Sequence, residues 1–313
     1  MIISASRRTD IPAYYSEWFI NRIQEGFLYV RNPMNIHQIS KIKLGRDVVD
    51  GIVFWTKNPI PMMDNIDKFK DYPYYFQFTL TPYGREIEQG LPSKEEKLIP
   101  AFRELSQKLG RERVVWRYDP IFLNDKYTMD FHKEHFRILA SEIGGYTEKC
   151  TVSFLDLYRN TARNIQPFGI RTLNREEQRE LMTEFVKTAE EYGLYIDTCA
   201  EEIDLSQLGI KHACCIDKER FERIGDYKLE AAKDSNQREA CGCISSIDIG
   251  AYNTCKNGCV YCYANFSKNT VNKQMVLHDP DSPLLFGHED KKNDVIKERK
   301  KMESFEQAQL SMF

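Results

Sequence analysis

The stretch Cys243-Ile-Ser-Ser-Ile-Asp-Ile249, followed by Gly250-Ala-Tyr-Asn-Thr254 and then Cys255-Lys-Asn-Gly-Cys259-Val-Tyr-Cys262, organises the whole reading. Its first part, with three isoleucines, reads as a strand. Its last part is C-x₃-C-x₂-C. Three thiolates on one tight loop can hold three irons of a cubane iron–sulfur cluster, and the loop leaves the fourth iron without a protein ligand. An open iron can accept a small molecule, much as an open zinc site accepts water. The competing reading is zinc. Zinc would draw a fourth ligand from Cys241, Cys243 or a histidine, but its usual spacing is paired C-x₂-C, which an x₃ gap does not match.

Working outward, strands and helices alternate. Candidate strands are Ile2–Ser6, Gly51–Trp55, Tyr74–Leu80, Arg113–Tyr118, Cys150–Leu155, Leu194–Thr198 and Cys243–Ile249, with a short eighth at His212–Ile216. Several are nearly continuous apolar runs, as in a parallel sheet buried on both faces. Helical patterns lie between them: Tyr14–Gln24 after Pro12; a helix opened by a capping box at Ser93–Glu96 and stopped by Gly110; Tyr127–Ile143; one capped by Asn174 with Glu177; and Lys218–Lys233. The order predicts an α/β fold, a parallel (β/α) barrel of TIM or partial-TIM type. The barrel is expected to span residues 1–277, cluster loop 255–262 included. Residues 278–313, with the charge-dense run His288–Lys301, are expected to be a charged C-terminal tail or solvated helix.

Composition sets the class. The 313 residues are 42% hydrophobic and 29% charged, with 18 Phe and 17 Tyr for a sizeable core, as in globular proteins. The net charge of -3 argues against a dominant nucleic-acid-binding face. No apolar run approaches a membrane span, and Met1–Arg8 lacks the order of a signal peptide, so a cytoplasmic protein with no membrane partner is expected. The cytosol keeps thiols reduced, so nine cysteines point to metal or redox chemistry.

C-x₃-C-x-aromatic-C is similar to the signature of the radical S-adenosylmethionine superfamily, and Cys259-Val-Tyr-Cys-Tyr263 resembles spore photoproduct lyase locally. Across Ser4–Pro12, Phe54–Pro59, Arg117–Pro120 and Cys241–Ala264 the chain resembles an uncharacterised prokaryotic family catalogued as a domain of unknown function. The superfamily resemblance implies a 4Fe-4S cluster on Cys255, Cys259 and Cys262. It implies S-adenosylmethionine on the open iron, reductive cleavage to a 5′-deoxyadenosyl radical, and a reducing partner such as flavodoxin or ferredoxin. It places Tyr261 beside the cofactor's adenine. In most of that superfamily the motif follows the first barrel strand, whereas here only 51 residues follow Cys262. A circular permutation is therefore expected, with the cluster-bearing strand last in sequence but beside Ile2–Ser6. The loop holding Arg7, Arg8, Thr9 and Asp10 would then face the methionyl end of the cofactor.

Two further sets are candidates. Cys199, Cys215, Cys241 and Cys243 could hold a second iron–sulfur cluster, as an electron relay or substrate anchor; the alternative is small buried hydrophobes. Cys150 reads as core. A barrel's active site lies at the carboxyl ends of its strands. Reading those ends gives Arg7, Arg8, Asp10, Lys57, Asn58, Gln77, Thr79, Arg117, Asp119, Asp156 and Glu201, of which Arg117, Asp156, Lys57 and Gln77 are the catalytic candidates. Arginines there suit the cofactor's carboxylate through bidentate pairing. Neither a phosphate-binding loop nor a nucleophile elbow occurs. The competing functions are a non-catalytic iron–sulfur or zinc protein for electron transfer or binding, and a radical enzyme of nucleic-acid repair or modification. The substrate is not legible in the sequence.

Overall fold

The computed structural model describes residues 1–299. Its strands are β1 (Ile2–Ala5), β2 (Phe27–Asn32), β3 (Asn35–Lys43), β4 (Gly51–Thr56), β5 (Tyr74–Thr79), β6 (Val114–Ile121), β7 (Lys149–Phe154), β8 (Tyr195–Thr198), β9 (Lys211–His212), β10 (Ile247–Asp248) and β11 (Val295–Glu298). Eight of them form one sheet in the order β10-β1-β4-β5-β6-β7-β8-β9, every pair parallel. The protein is an α/β fold built on a parallel sheet. The strand that precedes the cysteine loop lies beside the first strand of the chain, with Ile3 opposite Ile247 and Ser4 opposite Asp248.

Alternation along the strands divides the core in two, because successive side chains leave opposite faces of a sheet. Ile3, Ile52, Phe54, Phe76, Trp116, Val152 and Ile196 enter one large cluster. There they meet the apolar stripes of α2 (Ser16–Glu25), α4 (Ile99–Leu109), α5 (Met129–Ile143) and α7 (Arg175–Glu191). Ile2, Val53, Tyr75 and Val115 face the other way, onto Ala213, Cys215, Ile216, Phe221, Cys241, Cys243 and Ile244. These helices thus cover one face, and the chain from 200 to 244 fills the other. The edge strands β9 and β10 share no ladder. The Ile244 amide instead donates to the Ile216 carbonyl at 3.1 Å.

Several boundaries differ from the sequence reading, each for a local reason. The helix from Ser93 begins with a π turn, Lys94–Leu98, before α4. Pro100 has no amide to donate to the preceding turn, so the hydrogen-bond register shifts there. The helix expected over Lys218–Lys233 ends at Gly225, where Asp226 turns left-handed at φ 51°. Only Ile247–Asp248 of the expected strand Cys243–Ile249 pairs with β1, because Cys243 and Ile244 are engaged by Ile216.

The antiparallel pair β2–β3 was not expected at all. Most of its residues are polar or exposed, so its apolar alternation is weak. The C-terminal segment is described only up to residue 299. The charged run is not helical there: Val295–Glu298 forms β11, parallel to β3 and exposed, and residues 300–313 lie outside the described residues. Among the described residues no helix is long and apolar enough to cross a membrane.

Candidate functional site

A cavity of about 600 Å³ opens at the carboxyl ends of the parallel strands. Its wall includes Ser6 after β1, Lys57 after β4, Arg117 and Asp119 of β6, Ser153 of β7, Cys199 after β8 and Asp248 of β10. All three motif cysteines line it, and so do Cys199, Cys215, Cys241 and Cys243. Cys150 is buried in the helix-covered core. Every cysteine is a free thiol.

The cysteine loop is held from three directions. Asp10, buried at the start of α1 (Ile11–Tyr14), accepts from the Ala13 amide at 3.1 Å and the Thr56 hydroxyl at 2.7 Å. It also accepts from the Lys57 amide at 2.8 Å and Asn257 Nδ2 at 3.0 Å. Tyr14 donates to Asn257 Oδ1 at 2.8 Å, and Tyr15 to the Thr254 carbonyl at 2.6 Å. On the other side the loop pairs with the segment after β5: Gly90 N donates to Asn257 O at 2.8 Å and Val260 N to Ile87 O at 3.0 Å. A Cβ on Gly90 would collide with the Lys256 carbonyl, so glycine is what lets the two backbones approach. Asp248 ties β10 to the N-terminal loop, accepting from Ser6 Oγ at 2.6 Å and the Arg7 amide at 2.8 Å.

Beneath the loop lies a buried charge group. The Glu88 carboxylate accepts from Lys57 Nζ at 2.8 Å, Lys94 Nζ at 2.5 Å, Thr81 and the Tyr261 hydroxyl. Burial disfavours the Glu88 charge, but the two ammonium groups overcome it and hold the carboxyl at about 2. Lys57 also sits 5.5 Å over the Tyr261 ring, whose other neighbours are Tyr83 and Phe122.

Arginines and sulfur occupy the opposite wall. Arg117 Nη1 donates to Cys215 Sγ at 2.9 Å, and its Nε donates to Asp119 at 3.1 Å. The neighbouring thiols of Cys199 and Cys243, and then the Arg117 charge, hold the Cys215 thiol well below the usual range. Arg7 and Arg117 both lie over the Trp55 ring, at 5.1 and 5.2 Å. Arg8 lies 5.1 Å over Tyr252. Asp156 lines the cavity and pairs with Arg238 at 2.9 Å.

Of the residues named from the sequence, Arg7, Arg8, Thr9, Asp10, Lys57, Arg117, Asp156, Tyr261 and the seven cysteines all reach the cavity wall. Asn58, Glu201 and the catalytic candidate Gln77 do not. Gln77 is set apart by its contacts. It is buried and donates to the Cys215 carbonyl at 2.8 Å, and it does not line the cavity, so it is a scaffold group. Asp10 spends both carboxylate oxygens on the scaffold. Glu88, Lys94, Asn257 and Asp248 were missed. Glu88, Asn257 and Asp248 act through contacts distant in sequence, and Lys94 through Glu88, six residues away, at a spacing that marks no local motif.

The donor set suits a soft metal. Cys255, Cys259 and Cys262 offer three thiols from one loop to one cavity. Burial raises all three, Cys259 to about 12, so binding a metal there would displace protons. Among the described residues no three His, Cys, Asp or Glu side chains close on a common point as ligands of a single ion would. Two residues of the wall, Thr9 and Asn265, have side-chain oxygens without a protein partner, as expected where a polar ligand completes the site.

Fold and cavity together define a parallel α/β protein with a cysteine-lined cleft at its strand ends. The chain belongs to the family described as Domain of unknown function (DUF1848), whose family model matches residues 2–264. No curated protein and no solved structure matches it.

Proposed function

We propose that this protein is a radical S-adenosylmethionine enzyme on an open, circularly permuted barrel. One observation carries the reading: a single loop after β10 presents Cys255, Cys259 and Cys262 to a cavity at the carboxyl ends of parallel strands. Three thiolates from one loop suit a 4Fe-4S cluster with one open iron. The group would supply one electron to cleave bound S-adenosylmethionine into methionine and a 5′-deoxyadenosyl radical.

The chain's own residues would bind and orient. Arg7 and Arg8, fixed over Trp55 and Tyr252, offer guanidinium groups to the cofactor's carboxylate. The Thr9 hydroxyl is a free partner for its amino group. Tyr261, anchored through Glu88, offers an aromatic wall to the adenine. Arg117 and Asp156 remain the groups facing the substrate, whose chemistry stays open. The reading calls for a low-potential donor, a flavodoxin or ferredoxin, in a reducing compartment such as the cytoplasm.

Electron paramagnetic resonance on anaerobically reconstituted, dithionite-reduced protein tests it. A reduced cluster signal that changes on adding S-adenosylmethionine, with release of 5′-deoxyadenosine and loss of both in Cys262→Ala, is the expected result. A signal indifferent to the cofactor would mark an electron-transfer or structural cluster. Zinc in place of iron would overturn the reading.

A further inference from the structure

Four cysteines outside the motif, Cys199, Cys215, Cys241 and Cys243, line the same cavity. Cys199 Sγ lies 3.3 Å from Cys215 Sγ. Cys243 Sγ accepts from the amide of Ile216, the residue after Cys215, at 3.3 Å, and Cys241 lies two residues before Cys243 on the same segment. The four come from three separate segments: the turn after β8, the loop after β9, and the chain leading into β10. Cys214, beside Cys215 in sequence, does not line the cavity. Core packing alone does not call for this. Cysteines used as small hydrophobes need no sulfur–sulfur contact and no charged neighbour. Here a buried guanidinium, Arg117, paired with Asp119 on one side, donates to Cys215 Sγ at 2.9 Å on the other, and Arg7 shares the cavity wall with Cys215 and Cys243. Burying a guanidinium against sulfur is favourable when that sulfur is anionic, as in a metal thiolate.

We propose that Cys199, Cys215, Cys241 and Cys243 ligate a second iron–sulfur cluster on the wall of the same cavity. Four thiolates match the ligand count of a 2Fe-2S or 4Fe-4S cluster. A single zinc ion would need its thiolates gathered about 2.3 Å from one point. With all its positions taken by protein thiolates, this cluster has no open iron. It therefore carries electrons and does not capture substrate. The inference does not depend on S-adenosylmethionine chemistry at the other three cysteines.

The test is iron and sulfide analysis with Mössbauer spectroscopy on the full chain, anaerobically reconstituted. It compares wild type, the triple variant Cys255→Ala/Cys259→Ala/Cys262→Ala, and the double variant Cys215→Ser/Cys241→Ser. The triple variant is expected to keep about two or about four irons, one intact cluster. The double variant is expected to lose that share while its remaining cluster behaves as in wild type. A folded triple variant without iron, or with one zinc, overturns the proposal. So does a Cys199–Cys215 disulfide trapped by alkylation of the anaerobic protein. Should the triple variant not fold, wild-type iron accounting for one cluster alone is decisive against it. A cofactor-insensitive cluster at Cys255, Cys259 and Cys262 would sink the radical-enzyme reading and leave this iron count unchanged.

Discussion

Asp10 and Asn257, 247 positions apart in the chain, meet in the interior through a 3.0 Å hydrogen bond from Asn257 Nδ2 to Asp10 Oδ2. The bond joins the N-terminal loop to the loop that carries the three motif cysteines. Two further donors, the Thr56 hydroxyl and the Lys57 amide, bring the end of β4 to the same carboxylate. Asp10→Ala leaves these donors buried without an acceptor, at a cost of about 3 kcal/mol. Urea unfolding should register that loss, and reconstituted Asp10→Ala should bind less iron than wild type. Asp10→Asn retains an acceptor oxygen and should recover part of both. Unchanged stability in Asp10→Ala would show that the latch is dispensable.

Gly90 makes the matching contact on the other side of the cysteine loop. The obstacle to a side chain there is backbone, the Lys256 carbonyl and Asn257, which cannot rotate away as a side chain would. Gly90→Ala should therefore cost about 1–3 kcal/mol and loosen the loop. Gly145 has nothing within 4 Å of an added Cβ, and Gly145→Ala should stay within about 0.5 kcal/mol of wild type. Melting temperatures of the two variants make the comparison.

Why part of this was legible in the sequence follows from the range of each signal. The helix at Asn174 was visible because its capping box with Glu177 is local. β4 to β7 were visible because each is a buried apolar run. The place of β10 beside β1 was inferred from the lateness of the cysteine motif. The hairpin β2–β3 was hidden because its exposed polar residues do not alternate cleanly. Glu88 was hidden for a different reason. Nothing in Gly84–Gly90 predicts that Lys57 and Tyr261, both distant in sequence, will converge with Lys94, six residues on, upon one carboxylate.

That convergence has a definite pH signature. The Glu88 carboxyl is lowered from 4.5 to about 2, so its stabilisation is present above pH 4.5 and is lost as pH falls toward 2. Glu88→Gln abolishes the titration and leaves two buried ammonium groups without their counter-charge. The variant should be less stable than wild type by about 3–5 kcal/mol at pH 7, and the difference should shrink as the pH is lowered from 5 to 3. Paired urea titrations across that range check it. A difference independent of pH would mean that Glu88 is not ionised in the folded protein.

Glu201 runs the other way. Burial pushes its carboxyl up to about 7; the Phe154 amide, donating at 2.9 Å, opposes this, and the carboxylates of Asp156 and Asp119 add to it. A folded-state value above the unfolded one means that the folded protein holds the proton more tightly. Wild-type stability should therefore be highest, for this group, below about pH 4.5 and fall as pH rises through 7, by at most about 3 kcal/mol. Glu201→Gln mimics the protonated form and cannot titrate. The variant should match wild type near pH 5 and exceed it at pH 8, which melting curves at the two pH values would show. Equal curves at pH 8 would mean that the charged carboxylate is accommodated without cost, through Arg238 across the cavity mouth or through water.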